Sequence, residues 1–156
     1  MRKTKNYILI IALLTSLLLL YGCTNGNGGN DSGGYTFTDD TGNKVTVSSA
    51  SRVISLFGSY TEVWTLSGGD VIATTDDAVS ERKMDLGSNV EIIGTVKEPN
   101  VEKIISLNPD FVLLSTDIGS HVQAAQTLQK AGICCAFFKV EHFEDYLNML
   151  DICTDI

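Results

Sequence analysis

From Arg52 onward the chain alternates short apolar runs with stretches of helical period, and no other feature limits its fold as much. Arg52-Val-Ile-Ser-Leu56, Asp70 to Ala73, Val90 to Ile93, Phe111 to Leu114 and Ile133 to Phe138 read as strands. Phe111-Val-Leu-Leu114 has no polar residue, so it must be covered on both faces. Strands of that kind, separated by helices, predict an α/β fold with an open, mostly parallel sheet flanked by helices. Ligands of such sheets bind beyond the carboxyl ends of the strands. Here those ends are Phe57 to Tyr60, Thr74 to Asp77, Gly94 to Lys97 and Ser115 to Asp117.

Local signals place the helices. Ser59 with Glu62 three residues on is a capping box, predicting a helix to Leu66 that Gly68-Gly69 ends. Asn100, after Pro99, caps a helix from Val101 to Leu107. Gly119-Ser120 opens a third helix to Lys130, with Gln123 completing a second box and Val122, Ala125 and Leu128 on one face. Phe143 to Ile156 is the last. Ahead of this alternation, Tyr35 to Thr38 and Lys44 to Val47 alternate with period two around Asp39 to Asn43, a hairpin. Thr74 to Asn89 is polar and aperiodic; it reads as a long loop of the kind that often carries function.

The first residues are of a different kind. Arg2, Lys3 and Lys5 precede an apolar run from Tyr7 to Leu20 that only Thr15 and Ser16 interrupt. It is shorter than the roughly 20 residues a spanning helix needs and has the form of a secretory leader. The run ends in Leu20-Tyr-Gly-Cys23, which resembles the lipobox of bacterial lipoproteins. The resemblance implies a signal peptide over residues 1–22 and a Cys23 that receives diacylglycerol and becomes the new N-terminus. Two acyl chains suffice for stable membrane anchoring. Thr24 to Gly34, rich in Gly and Asn, is a flexible tether that spans on the order of 20 Å.

Charge narrows the partners. Three of the 11 basic residues lie in the leader, which leaves 8 against 19 acidic ones and a formal charge near −11. So acidic a domain is a poor nucleic-acid binder. No P-loop, H-E-x-x-H, C-x-x-C or G-x-S-x-G pattern occurs. His121 and His142 lack ligand-like spacing, and His121, just past a helix start, reads as a surface residue. Cys134 and Cys135 are neighbours on a strand and point to opposite faces; a disulfide between them would be strained, so they read as packing residues.

Several segments together resemble one family. Arg52-Val-Ile-Ser-Leu, Thr61-Glu62 and Gly68-Gly-Asp-Val-Ile-Ala73 are similar to the opening of the siderophore, haem and cobalamin substrate-binding proteins of ABC importers. Glu98-Pro-Asn-Val-Glu-Lys-Ile-Ile105 with Leu107-Asn-Pro-Asp-Phe-Val-Leu113 resembles that family's signature, and Leu128 to Ile133 its helix-to-strand step. The resemblance implies a lipid-anchored, extracytoplasmic receptor that captures a ferric siderophore, haem or cobalamin-type ligand and delivers it to an ABC permease, without a cofactor. Family members have two α/β lobes joined by a long helix. Residues 35–141 would then be the N-terminal lobe and 142–156 the start of the joining helix, with Phe143, Leu147 and Leu150 left without a second-lobe partner.

For the cleft, the strand ends nominate Tyr60 as a stacking surface and Asp76, Asp77, Thr116 and Asp117 as polar contacts. Lys97 would meet a carboxylate-bearing ligand. Glu102, in the first turn of its helix, is the residue that the family pairs with permease arginines; a carboxylate there is favoured by the helix dipole. Two alternatives stay open: a divalent-metal receptor, and a cell-surface enzyme using Asp76, Asp77 or Asp117 as acid or base.

Overall fold

The computed structural model describes residues 34–156. The apolar leader, Cys23 and the tether as far as Gly33 lie outside the described residues. The elements run β1 (Tyr35–Thr38), β2 (Lys44–Val47), β3 (Val53–Ser55), α1 (Gly58–Leu66), β4 (Val71–Thr74), α2 (Asp77–Ser80), β5 (Glu91–Ile92), α3 (Val101–Ser106), β6 (Phe111–Ser115), α4 (Gly119–Lys130), β7 (Cys134–Phe138) and α5 (Phe143–Asp155). Strands β5-β4-β3-β6-β7 form a parallel sheet in that order, and β1 and β2 pair antiparallel as a separate hairpin. The α/β reading of the sequence is therefore correct.

Alternation along the interior strand β6 divides the core in two. Phe111 and Leu113 pack with Trp64 of α1, Met149 and Cys153 of α5, and Phe37, Val45 and Val47 of the hairpin. Val112 and Leu114 face the other way, onto Ile104 of α3 and Ala124, Ala125 and Leu128 of α4. Each large side chain of β6, fully buried, contributes about 1.5–3 kcal/mol, which is why this apolar strand lies inside the sheet and not at its edge. Cys134 and Cys135 fall on opposite faces as expected, and Cys134, Cys135 and Cys153 are free thiols.

Two carboxylates lock chain crossings. Asp39 accepts hydrogen bonds from the Thr41 and Asn43 amides, both at 3.0 Å, and from the Phe137 amide at 3.2 Å, fixing the hairpin turn against β7. Asp110 accepts from the amides of Ser51 and Arg52 at 3.0 Å, while Arg52 Nε donates to the Asn108 carbonyl at 3.1 Å. This knot joins the amino ends of β3 and β6, the opposite end of the sheet from the strands' carboxyl ends.

The structure corrects three local expectations. Neither capping box forms: the N-caps of α1 and α4 are Phe57 and Ile118, each two residues before the predicted Ser59 and Ser120 and each without a side-chain cap. In α1 the first amide, Gly58 N–H, donates instead to the Asp77 carboxylate at 2.7 Å. A tertiary carboxylate has displaced the local one. The polar stretch after Thr74 is not all loop, because Asp77–Ser80 is helical. Asn100 does cap α3, accepting from the Lys103 amide at 2.9 Å. At the C-terminal helix, Met149 and Cys153 are buried and Leu150 packs at the core margin, whereas Phe143 and Leu147 are 68% and 41% exposed.

Candidate functional site

The strand order reverses between β3 and β6. From β3 the chain steps outward to β4 and β5, then returns across the sheet to β6 and on to β7. At such a switch point the connections leave in opposite directions and open a crevice above the carboxyl ends. A cavity of about 450 Å³ lies there. Phe57, Ser59, Tyr60, Glu62 and Val63 line it from the β3–α1 side, and Ser115, Asp117 and Ile118 from the end of β6. Arg82, Val140 and Tyr146 complete the rim.

Of the residues nominated from sequence, this cavity brings together Tyr60 and Asp117. Tyr60 is only 3% exposed; its hydroxyl donates to the Phe138 carbonyl at 2.9 Å and its ring meets Phe57 edge-on at 5.2 Å. Burial, with the fields of Asp117 and Asp40, pushes the phenol up to about 12. The hydroxyl is thus a fixed part of the floor, and Phe57 and Tyr146, both half-buried, are the more open aromatic surfaces. Asp117 is exposed and also borders a neighbouring depression that contains Val96, Lys97 and Ser120. Lys97 therefore flanks the cavity.

The other nominees lie elsewhere. Asp77 is 4% exposed, and its carboxylate holds the Gly58 amide and the Thr75 hydroxyl, the latter at 2.6 Å. It is a strut between α1 and α2 and does not line the cavity. Asp76 is exposed beside it and lines neither hollow. Thr116 turns toward a separate hollow with Thr41, Asn43 and Gln126, on the hairpin side. Glu102 is exposed in the first turn of α3. Its neighbour Lys103 pairs with Glu91 at 2.8 Å and donates to the Ile92 carbonyl at 3.0 Å, pinning α3 to the edge strand.

Sequence reasoning missed two groups. Arg82, in the stretch read as loop, reaches the cavity rim and pairs with Glu62 at 3.6 Å. Both side chains are nearly half exposed, so the pair is weak and the guanidinium stays available to an anion. The approach of α2 to α1 that brings them together depends on Gly58, since a Cβ there would lie 2.6 Å from the Ala78 nitrogen. His121 is the second. It is fully buried, not on the surface: α4 has its N-cap at Ile118, two residues before the Ser120 of the capping signal, and the ring finds backbone partners on two segments. Its Nδ1 accepts from the Ser115 amide at 3.1 Å, which leaves Nε2–H to donate to the Val96 carbonyl at 3.0 Å. Burial depresses the imidazole to about 4.

A parallel α/β lobe with a crevice at its switch point, rimmed by one arginine and aromatic side chains, has the architecture in which open α/β sheets hold small molecules. The periplasmic binding protein family matches residues 53–156, and the chain belongs to it. Its curated relatives include the ABC transporter substrate-binding lipoprotein YvrC of Bacillus subtilis, 33% identical over 78% of this chain and 41% of that protein. The Fe(3+)-citrate-binding protein YfmC of the same organism is 30% identical over 83% of this chain and 44% of its own length. The chain thus spans less than half of the relatives it matches. Among solved structures, the petrobactin-binding protein YclQ of Bacillus subtilis superposes with a TM-score of 0.63 at 17% identity, over 78% of this chain and 44% of that one. At that identity the likeness shows the fold.

Proposed function

We propose that this lobe forms one wall of the ligand cleft in a lipid-anchored receptor that delivers a ferric chelate to an ABC permease. The observation that carries the reading is the cavity at the switch point, with Arg82 and Lys97 beside an aromatic floor. A guanidinium recognises carboxylates in bidentate fashion, and it does so best where the surroundings exclude water. Carboxylate-bearing iron chelates present that chemistry, and the relatives named for ferric citrate and petrobactin support it. Haem and a corrinoid are the other ligands for this cleft. Asp117, next to Lys97, would accept from ligand hydroxyls.

Glu102 is the docking contact in this reading. It is exposed, and among the described residues it makes no ion pair, so an arginine of the permease meets an uncommitted carboxylate. Cys23 carries the lipid that keeps the receptor near the permease.

Titrating ferric citrate, haem and cobalamin in turn into the full-length receptor with both walls of the cleft, with Trp64 fluorescence as the signal, tests the ligand. One of the three should bind tightly, and Arg82→Ala should weaken a ferric chelate about tenfold, the equivalent of one charge-assisted hydrogen bond. Silence with all three would remove the reading. Glu102→Ala should leave affinity unchanged and abolish uptake, and Cys23→Ala should release the protein from the membrane fraction.

A further inference from the structure

We infer that His121 is a positioning residue that ties the ligand-facing end of β6 to the loop leading into the Glu102 helix. The functional half of this inference rests on the cleft and docking roles given above; the structural half does not.

The need for such a residue arises from the sheet itself. Successive amides of a strand point to opposite neighbours. The Thr116 amide donates to the Phe138 carbonyl of β7, so the Ser115 amide faces the β3 side. There the ladder has already ended, its last bond running from the Leu56 amide to the Leu113 carbonyl. At the switch point the Ser115 N–H would be a buried donor without a strand partner, a state that folded proteins rarely leave uncompensated. His121 Nδ1 fills that place at 3.1 Å.

The other ring nitrogen reaches a different segment. Nε2–H donates to the carbonyl of Val96, which also accepts from Ser120 Oγ at 3.3 Å. Val96 lies in the tight loop from Gly94 to Pro99, where Gly94 has a φ of +107° and the two ends bridge. Asn100, the cap of α3, follows directly and hydrogen-bonds the Ile93 carbonyl through its amide at 2.7 Å. One imidazole therefore spans from the cavity wall at Ser115 to the base of the helix that presents Glu102. Only the neutral ring with its proton on Nε2 satisfies both partners. An apolar residue of the same volume would fill the space and leave both backbone groups unpaired.

Two near-isosteric replacements separate the ends. His121→Asn keeps an acceptor at the δ position and loses the reach to Val96; His121→Gln keeps a donor at the ε position and loses the acceptor for Ser115. Amide hydrogen exchange should then show a reciprocal pattern. In His121→Asn the amides of residues 95–100 should exchange about tenfold faster while Ser115 stays protected, and in His121→Gln the reverse. In cells, His121→Asn should lower uptake more than it lowers affinity for ferric citrate, because its defect lies on the docking side.

Exchange that matches the wild type in both variants, or that rises uniformly across the sheet, would overturn the positioning role. If neither variant folds, imidazole ¹⁵N shifts of the wild-type protein decide. An Nε2–H tautomer held through the neutral range supports the tie, and an Nδ1–H or freely titrating ring refutes it. A wild-type protein that binds none of the three ligands would defeat the cleft reading and leave the exchange result standing.

Discussion

Replacing Asp77 by Ala separates a strut from a ligand contact, the role its place at a strand end suggested. The carboxylate is 4% exposed and accepts from the Gly58 amide at 2.7 Å and the Thr75 hydroxyl at 2.6 Å. The first is a charge-assisted bond to a helix terminus that has no side-chain cap of its own, worth about 1.5–3 kcal/mol. Loss of the second strands a buried hydroxyl for about 1 kcal/mol more. Removing the carboxylate also removes the cost of burying it, which offsets part of the sum. A net loss of about 2–4 kcal/mol follows, which at roughly 4 °C per kcal/mol for a domain of this size lowers Tm by about 8–16 °C.

Calorimetry of the wild-type, Asp77→Ala and Asp76→Ala proteins measures it, with urea unfolding to show a lower midpoint at unchanged slope. Asp76 is exposed and makes no side-chain hydrogen bond among the described residues, so its change should stay within about 0.5 kcal/mol. A Tm for Asp77→Ala within about 2 °C of wild type would refute the strut argument. If in that case ligand affinity collapsed, Asp77 would be a ligand contact after all.

Other outcomes follow from the same geometry. Burial lowers His121 to about 4 in the folded protein from 6.5 in the open chain, against the Val96 carbonyl and the field of Asp77, which favour its cation. Its stabilisation is therefore complete above pH 6.5 and is lost as pH falls toward 4, by about 3 kcal/mol in all. Subtracting the pH–stability curve of His121→Asn removes the carboxylates that titrate in the same range; a flat difference would contradict the assignment. Gly58→Ala places a Cβ 2.6 Å from the Ala78 nitrogen and 2.7 Å from its Cα, a backbone clash that should cost about 1–3 kcal/mol by thermal melting and weaken ligand binding by shifting α1 from Arg82. Burial pushes the Cys135 and Cys153 thiols up to about 12, so iodoacetamide should label half-buried Cys134 first among these three, as peptide mapping would show.

Much of this was legible because its causes are local. An all-apolar Phe111 to Leu114 has to lie inside a sheet covered on both faces wherever the rest of the chain goes. Asn100 caps α3 through an amide three residues away, within the reach of a single turn. The signature around Arg52 and Asp110 is recognisable for a structural reason: it ties the amino ends of β3 and β6, away from the cleft. Tyr60 and Asp117 were found because the ends of parallel strands converge whatever the side chains are.

What the sequence by itself determined, then, is the alternation of strands and helices, a strand that must be covered on both faces and the end of the sheet where a ligand would sit. Only the tertiary structure decided which polar groups serve the cleft and which serve the scaffold. Asp77 takes the helix cap that the capping box assigns to Ser59 and Glu62, Arg82 comes to the rim, and His121 turns inward to a strand amide left unpaired at the switch point. A cap within one turn competes only with water, so its signature can be read along the chain. A buried carboxylate or imidazole finds its partner across the sheet, and that partner exists only once strand order and register have been set.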